Sequence, residues 1–172
     1  MALNSTLLEL GPCQITFDGV DQGILLGDVE IPIEEEFAEL HGSQFGKTIL
    51  NHIKSGKTVM CKASLAETDL QRLATAIGGV VTAGGTGQGV VIRNDVGADL
   101  LAGAKVLELR KWINGVASAD VADRVTFPKA AVLGKTKIVF SSEKQRSYDV
   151  EWHIYPDTAT GIFGRVGDPT AA

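Results

Sequence analysis

Proline, cysteine, histidine, aromatic residues and excess positive charge are all scarce in this chain, and each shortage excludes something. Five prolines beside 20 glycines point to tight turns joining short strands, not to long helices. The two cysteines, Cys13 and Cys61, stand far apart and match no metal-ligand spacing. Each falls on the apolar register of a candidate strand, so both read as reduced, buried thiols. The three histidines, His41, His52 and His153, form no HExxH or similar ligand set. Aromatic content is only 6%, and Trp152 lies on the apolar register of its strand. A small carbohydrate-binding β-sandwich, which needs a surface cluster of aromatics, is therefore disfavoured. Lys and Arg number 16 against 21 Asp and Glu, a net charge of −5. That excludes gripping nucleic acid by a general positive field, though not handling DNA without holding it. No apolar run approaches the ~18 residues that span a bilayer. The first ten residues lack a positive start and carry Glu9, so they do not read as a signal peptide, and folding in a cytosol is expected.

What remains is an ordinary globular composition, 44% hydrophobic and 22% charged, in 172 residues. This suits one domain with a real core. We see no internal repeat and no dividing linker. Residues 1–11 read as an arm. From Cys13 to Phe17 apolar and polar residues alternate, and Asp18-Gly19 supplies a turn. In 28–37 the apolar Val29, Ile31, Ile33 and Phe37 alternate with Asp28, Glu30, Pro32, Glu34 and Glu36, with Glu35 the one exception. A strand here has one greasy face and one strongly acidic face. Such a face costs stability unless it points into open solvent. Residues 42–57 show no clean period and are expected to be a long loop, or else to hide a short strand or helical turn. Its apolar Phe45, Ile49, Leu50 and Ile53 suggest packing against something outside its own fold.

Alternation resumes over 58–63. A helix comes next, with Leu70, Leu73, Ala74 and Ile77 on one stripe, Ser64 or Thr68 as its start and Gly78-Gly79 as its stop. Valines at 80–81 and 90–91 flank the glycine-rich turn 84–89. Strands are expected at 106–112 and 121–133, and a hairpin at 137–140 with 148–155. The last shows Tyr148, Val150, Trp152 and Ile154 on one face. Residues 156–172 read as a tail.

Motifs for chemistry fail on spacing. Gly-Lys-Thr occurs at 46–48, 56–58 and 134–136. A phosphate loop requires an earlier glycine where this chain has His41, Asn51 and Lys129. The Gly85-Thr86-Gly87-Gln88-Gly89 run comes after a helix and precedes a strand, the reverse of a dinucleotide site. There is no nucleophile elbow. The acids Glu34, Glu35 and Glu36 read as a solvated face, not as a general acid and base. The expectation is a protein with no catalytic, metal-binding or cofactor-binding residues.

Several segments resemble the major tail tube proteins of tailed phages. They are Leu10 through Gly19, Gly27-Asp28-Val29-Glu30-Ile31 with Phe37, and Lys57-Thr58-Val59 on through Ala63-Ser64-Leu65-Ala66-Glu67 to Ile77. Val125-Thr126-Phe127-Pro128-Lys129-Ala130 and 155–168 complete the set. Residues 79–104 match least. The resemblance implies a mainly β fold of two packed antiparallel sheets, a sandwich or barrel flanked by one helix, with a long inter-strand loop. It implies six copies per ring, sheets joining around the ring, and a loop reaching the next ring. Here that loop is 42–57, with Gln44, Phe45, Ile49, Leu50 and Ile53 as stacking residues. The arm and tail are implied to add contacts between subunits. Asp28, Glu30, Glu34 and Glu36 are expected to line the lumen, or else the outer surface. Partners implied are further copies of the chain, a tail terminator, baseplate or tip proteins, a tape measure protein, and a sheath if the tail contracts. DNA passes through without binding, no membrane is involved, and the place is the virion, assembled in the host cytoplasm. A tail terminator, the inner tube of a contractile injection machine, or a small ligand-binding β-sandwich are the alternatives.

Overall fold

Strands dominate because residues of alternating polarity recur between glycine turns. The structure is a computed structural model that describes residues 11–66, 69–84, 87–92, 94–133, 136–139 and 147–168. The arm up to residue 10, the middle of the glycine-rich turn and the last four residues lie outside the described set. Twelve strands are described: β1 (Cys13–Phe17), β2 (Val20–Asp21), β3 (Ile33–His41), β4 (Ile49–Leu65), β5 (Val80–Gly84), β6 (Gly87–Val91), β7 (Lys105–Ile113), β8 (Val116–Ala117), β9 (Arg124–Val132), β10 (Lys137–Val139), β11 (Ser147–Ile154) and β12 (Arg165–Val166). One α-helix, α1 (Leu70–Ile77), is described.

The main sheet is antiparallel in every pairing and runs β2-β1-β7-β9-β11-β4-β3, with β10 beside β11, β12 beside β9 and β8 beside β7. The small second sheet is the β5–β6 hairpin. Thus the fold is mainly β with a single helix, as the sequence suggests, and nearly all described strands share one large sheet. Type I′ geometry makes two of its hairpins. Asp18 and Gly19, and likewise Asn114 and Gly115, take positive φ, which tightens the two-residue turn to match strand twist.

The sheet curls around its own apolar face. Ile15 and Phe17 from β1 share one buried cluster with Leu107, Leu109, Phe127, Trp152 and Cys61, although three strands separate β1 from β4. The Phe17 and Trp152 rings meet at 6.1 Å across this interior. Ala76 of α1 joins the same cluster, so the helix stoppers one end of it. The buried Gln22 ties the two together: its amide donates to the Val20 carbonyl at 2.9 Å and its oxygen accepts from Thr75 at 3.3 Å.

Four expectations need correcting. Helix α1 starts after Asp69, whose carboxylate accepts from the Gln71 N–H, while Ser64 belongs to β4 and bonds Asp149. Its stop is as expected: Gly78 takes the left-handed conformation. The strand expected from residue 28 becomes regular only at Ile33. Pro32 has no N–H to give, and before Ile33 this stretch is held to β4 by the Glu30–Lys62 bridge and by the Pro32 carbonyl, which accepts from the Met60 N–H at 3.1 Å. The long loop at 42–57 is not a loop. Residues 49–57 are the outer part of β4, paired to β3, and the turn between them holds one short 3-10 segment, Ser43–Phe45. Finally, 156–168 does not hang free. It turns at Asp157–Gly161 and returns as β12 on β9, passing Phe127 so closely that only glycine fits at 164.

Candidate functional site

Strand β4 is 17 residues long and only its second half lies in the body of the protein. From Val59 to Leu65 it pairs with β11 and alternate residues are buried. Before Val59 it pairs only with β3, and all nine residues of β3 are exposed. At about 3.3 Å per residue, the hairpin stands about 30 Å beyond the body. An isolated two-stranded hairpin is marginal in water. This one is held because its inner end continues the ladder of the core.

The register sorts its side chains. Ile33 sits opposite the buried Val59, and Glu35 opposite Lys57, so Glu35 lies on the face that continues the core. There two lysines bracket it. Lys57 Nζ lies 2.9 Å from the Glu35 carboxylate, and Lys54 Nζ is closer still. The hydrogen bonds from Lys54 and then Lys57 hold the Glu35 carboxyl below the usual carboxylate range, and Glu35 raises the Lys57 ammonium. The acid that breaks the apolar alternation is thus neutralised on the spot. Further out on this face Phe37 meets His52 edge-on at 6.4 Å, and His41 lies 3.3 Å from Glu39.

The opposite face is different. Glu34 and Glu36 stand opposite Thr58 and Gly56, in line with the outward Met60 and Lys62. Glu30 bridges Lys62, and Asp28 borders the same shallow depression. All four acids read from the sequence as one set therefore do share a face, the face turned away from the core. Among the described residues none of the four makes an ion pair. Asp149 and Glu151 of β11 extend this face, with Lys62 Nζ at 4.0 Å from Glu151. Their outward register was readable in the alternation of 148–155, but their proximity to 28–36 requires the β11–β4–β3 order, which no local pattern encodes.

The residues expected from the sequence to stack gather at the tip. Gln44 and Phe45 lie in the short 3-10 turn; Ile49, Leu50 and Ile53 begin β4; all are exposed. Phe45 and Leu50 fold over Gly42, where a Cβ would sit 2.8 Å from Leu50 Cδ1. With Ile33, Phe37 and Leu40 they leave the apolar side chains of the hairpin exposed along its length. No cluster of His, Cys, Asp or Glu able to hold a metal occurs among the described residues. No described helix is long and apolar enough to cross a membrane.

No protein-family model matches the chain, and no curated protein matches it. Solved structures do. The tail of an empty gene transfer agent particle, refined with C6 symmetry, is similar at TM-score 0.46 and 11% identity, over 91% of this chain and 96% of that one. The virion of a native gene transfer agent particle is similar at TM-score 0.45, with the same identity and coverage. A crystal structure of Hcp protein is similar at TM-score 0.37 and 10% identity, over 89% of this chain and 96% of that one. At such identities and scores neither family membership nor an activity follows for this chain.

Proposed function

We propose that this chain is a non-enzymatic structural subunit that assembles with copies of itself into six-membered rings, stacked as the hollow tail tube of a virion. The observation that carries the reading is the β3–β4 hairpin. It is long, stiffly rooted, apolar at its tip and covered by none of the described residues of its own chain. A monomer gains nothing from exposing Phe37, Phe45, Leu50 and Ile53 together; an assembly that buries them does. Strand β3 also ends the sheet, with an outer edge that pairs no described strand. Open edges invite pairing with another chain, and a closed ring removes them. The resemblance of the sequence to tail tube proteins agrees with both points.

The acidic face supplies the second half of the reading. A conduit for DNA must not hold it, since each phosphate contact is a trap. Asp28, Glu30, Glu34 and Glu36, on one face and without ion pairs among the described residues, repel phosphates within a screening length of about 8 Å. In this reading they line the lumen. Tail terminator, baseplate, tape measure and, in a contractile tail, sheath proteins are the partners at the tube's ends, interior and outside.

Negative-stain electron microscopy of the purified protein at high concentration tests the assembly. Hollow tubes or stacked rings are expected. A chain that stays monomeric at every concentration refutes the tube and favours a terminator or a binding module. Deleting 44–54 should leave a folded body that grows no tubes. For the lumen, Glu34→Lys with Glu36→Lys should slow DNA ejection; unchanged ejection and infection rates remove the acidic wall from the account.

A further inference from the structure

Outward of Val59, strand β4 pairs only with β3, so this stretch of the hairpin opens against little resistance and its few side-chain contacts set how often it does. The register lays those contacts on one face in two sets. Near the root, the ammonium groups of Lys54 and Lys57 bracket Glu35. Farther out, Glu39 has the same arrangement built from imidazoles. His41, two residues along the strand, brings Nε2 to 3.3 Å from the Glu39 carboxylate, and His52 is the cross-strand partner of Glu39. Two of the three histidines in the chain thus flank one carboxylate. An ammonium keeps its charge through the neutral range, whereas an imidazole gains one only as pH falls from about 8 to about 5.

We propose that His41 and Glu39 form a proton-dependent clasp, which tightens the outer half of the hairpin as pH falls through that range. The proposal goes beyond the tube reading and concerns the single chain. A neutral imidazole gives Glu39 an ordinary hydrogen bond; a protonated one turns the same contact into a charge-assisted pair, roughly twice as strong. The other charges on this face select His41 over His52. They are Glu35 from β3 and Lys54 and Lys57 from β4, with Lys47 the one charged residue in the 42–48 turn; Glu34 and Glu36 stand on the opposite face. Glu35 already meets two cations, which leaves Glu39 as the one acid on the face for a proton to match. His52 adjoins Lys54 along that face, so positive charge on it is opposed, and its ring sits edge-on to Phe37 at 6.4 Å. His41 lies farther out, in contact with the acid. Both partners are about half exposed, which limits the clasp to about a fivefold change in hairpin opening.

Amide hydrogen exchange on the full chain, kept dilute so that it stays monomeric, tests this. Rates are taken at pH about 7.5 and about 5.5 and divided by the intrinsic rate at each pH. Protection of residues 37–41 and 49–54 should rise about two- to fivefold at the lower pH, while β11 in the core stays unchanged. His41→Gln keeps a donor for Glu39 but takes no proton, so it should flatten the response without opening the hairpin. Glu39→Gln should flatten it as well, and His52→Gln should leave it in place. Equal protection at both pH values in the wild type overturns the clasp. So does a response that survives in His41→Gln or in Glu39→Gln, or one lost in His52→Gln alone. None of these results bears on whether the chain assembles, so the tube reading stands or falls separately.

Discussion

Replacing Phe45→Ser, Leu50→Thr and Ile53→Thr together separates folding from assembly more cleanly than any deletion. These three side chains are 60%, 51% and 50% exposed, so the monomer already hides about half of each. Fully burying such a side chain is worth about 1.5–3 kcal/mol. The half still available is then worth about 1 kcal/mol each, or about 3 kcal/mol per joint. At 1.4 kcal/mol per tenfold, each joint should weaken about 100-fold. Threonine keeps the β preference of positions 50 and 53, but the half of each side chain that the monomer hides is lost from folding too, by the same arithmetic up to about 3 kcal/mol in all. The assay pairs urea unfolding of the monomer with the concentration at which pelletable tubes first form. Unfolding should weaken by no more than that, while the concentration rises by about two orders of magnitude. A larger loss of stability shows that the tip packs more deeply within its own chain. An unchanged onset of assembly shows that the tip is not at a joint. Either result refutes the reasoning.

The body of the protein supplies three more tests. Trp152→Ala empties the centre of the curled sheet, where the ring is fully buried, and should cost about 3–5 kcal/mol in urea unfolding. Gly164→Ala drives a Cβ to 2.3 Å from the Phe127 ring and should cost about 1–3 kcal/mol, read as a lower melting temperature. The Glu35 bracket should give the hairpin a pH window. Its folded carboxyl is depressed, so its contribution is present above the unfolded value and is lost as pH falls through the folded one. Lys57 is raised, so its contribution is present below the unfolded ammonium value and is lost as pH rises through the folded one. Amide exchange along β3 should accelerate at both extremes in the wild type and show no acid limb in Glu35→Gln.

Where one face of a strand meets the core, the sequence was legible. Cys13, Ile15 and Phe17, or Tyr148, Val150, Trp152 and Ile154, alternate because the other face meets water. The helix was legible for the same reason, although its first residue was not: the sequence offers Ser64 or Thr68 as the start, and the cap is Asp69. The outer arm of the hairpin, 42–57, was illegible for a physical cause. Neither of its faces is buried, so nothing forces alternation upon it. The register also shifts between Glu36 and Phe37 and between Leu40 and His41, leaving Ser55 and Leu50 without partners in the ladder. Each extra residue flips the phase of the strand beyond it, and 42–57 loses its period. What survived was the chemical anomaly of Phe45, Leu50 and Ile53 outside any apolar register, and the structure leaves all three exposed. Glu35 was visible as an exception but not its remedy, because Lys54 and Lys57 come near it only through the pairing of β3 with β4.

The continuity of β4 has a mechanical consequence. In the proposed tube, a tip joined to the body by a flexible tether would transmit no torque, and neighbouring rings could swivel freely. Here the strand that carries the tip is the same one that forms seven successive pairs with β11. A load applied at Phe45 along the strand is taken up in shear by that whole ladder at once, not peeled from one hydrogen bond to the next. The hairpin is a cantilever with its root clamped in the core, so bending and twist imposed at its tip are passed to the body.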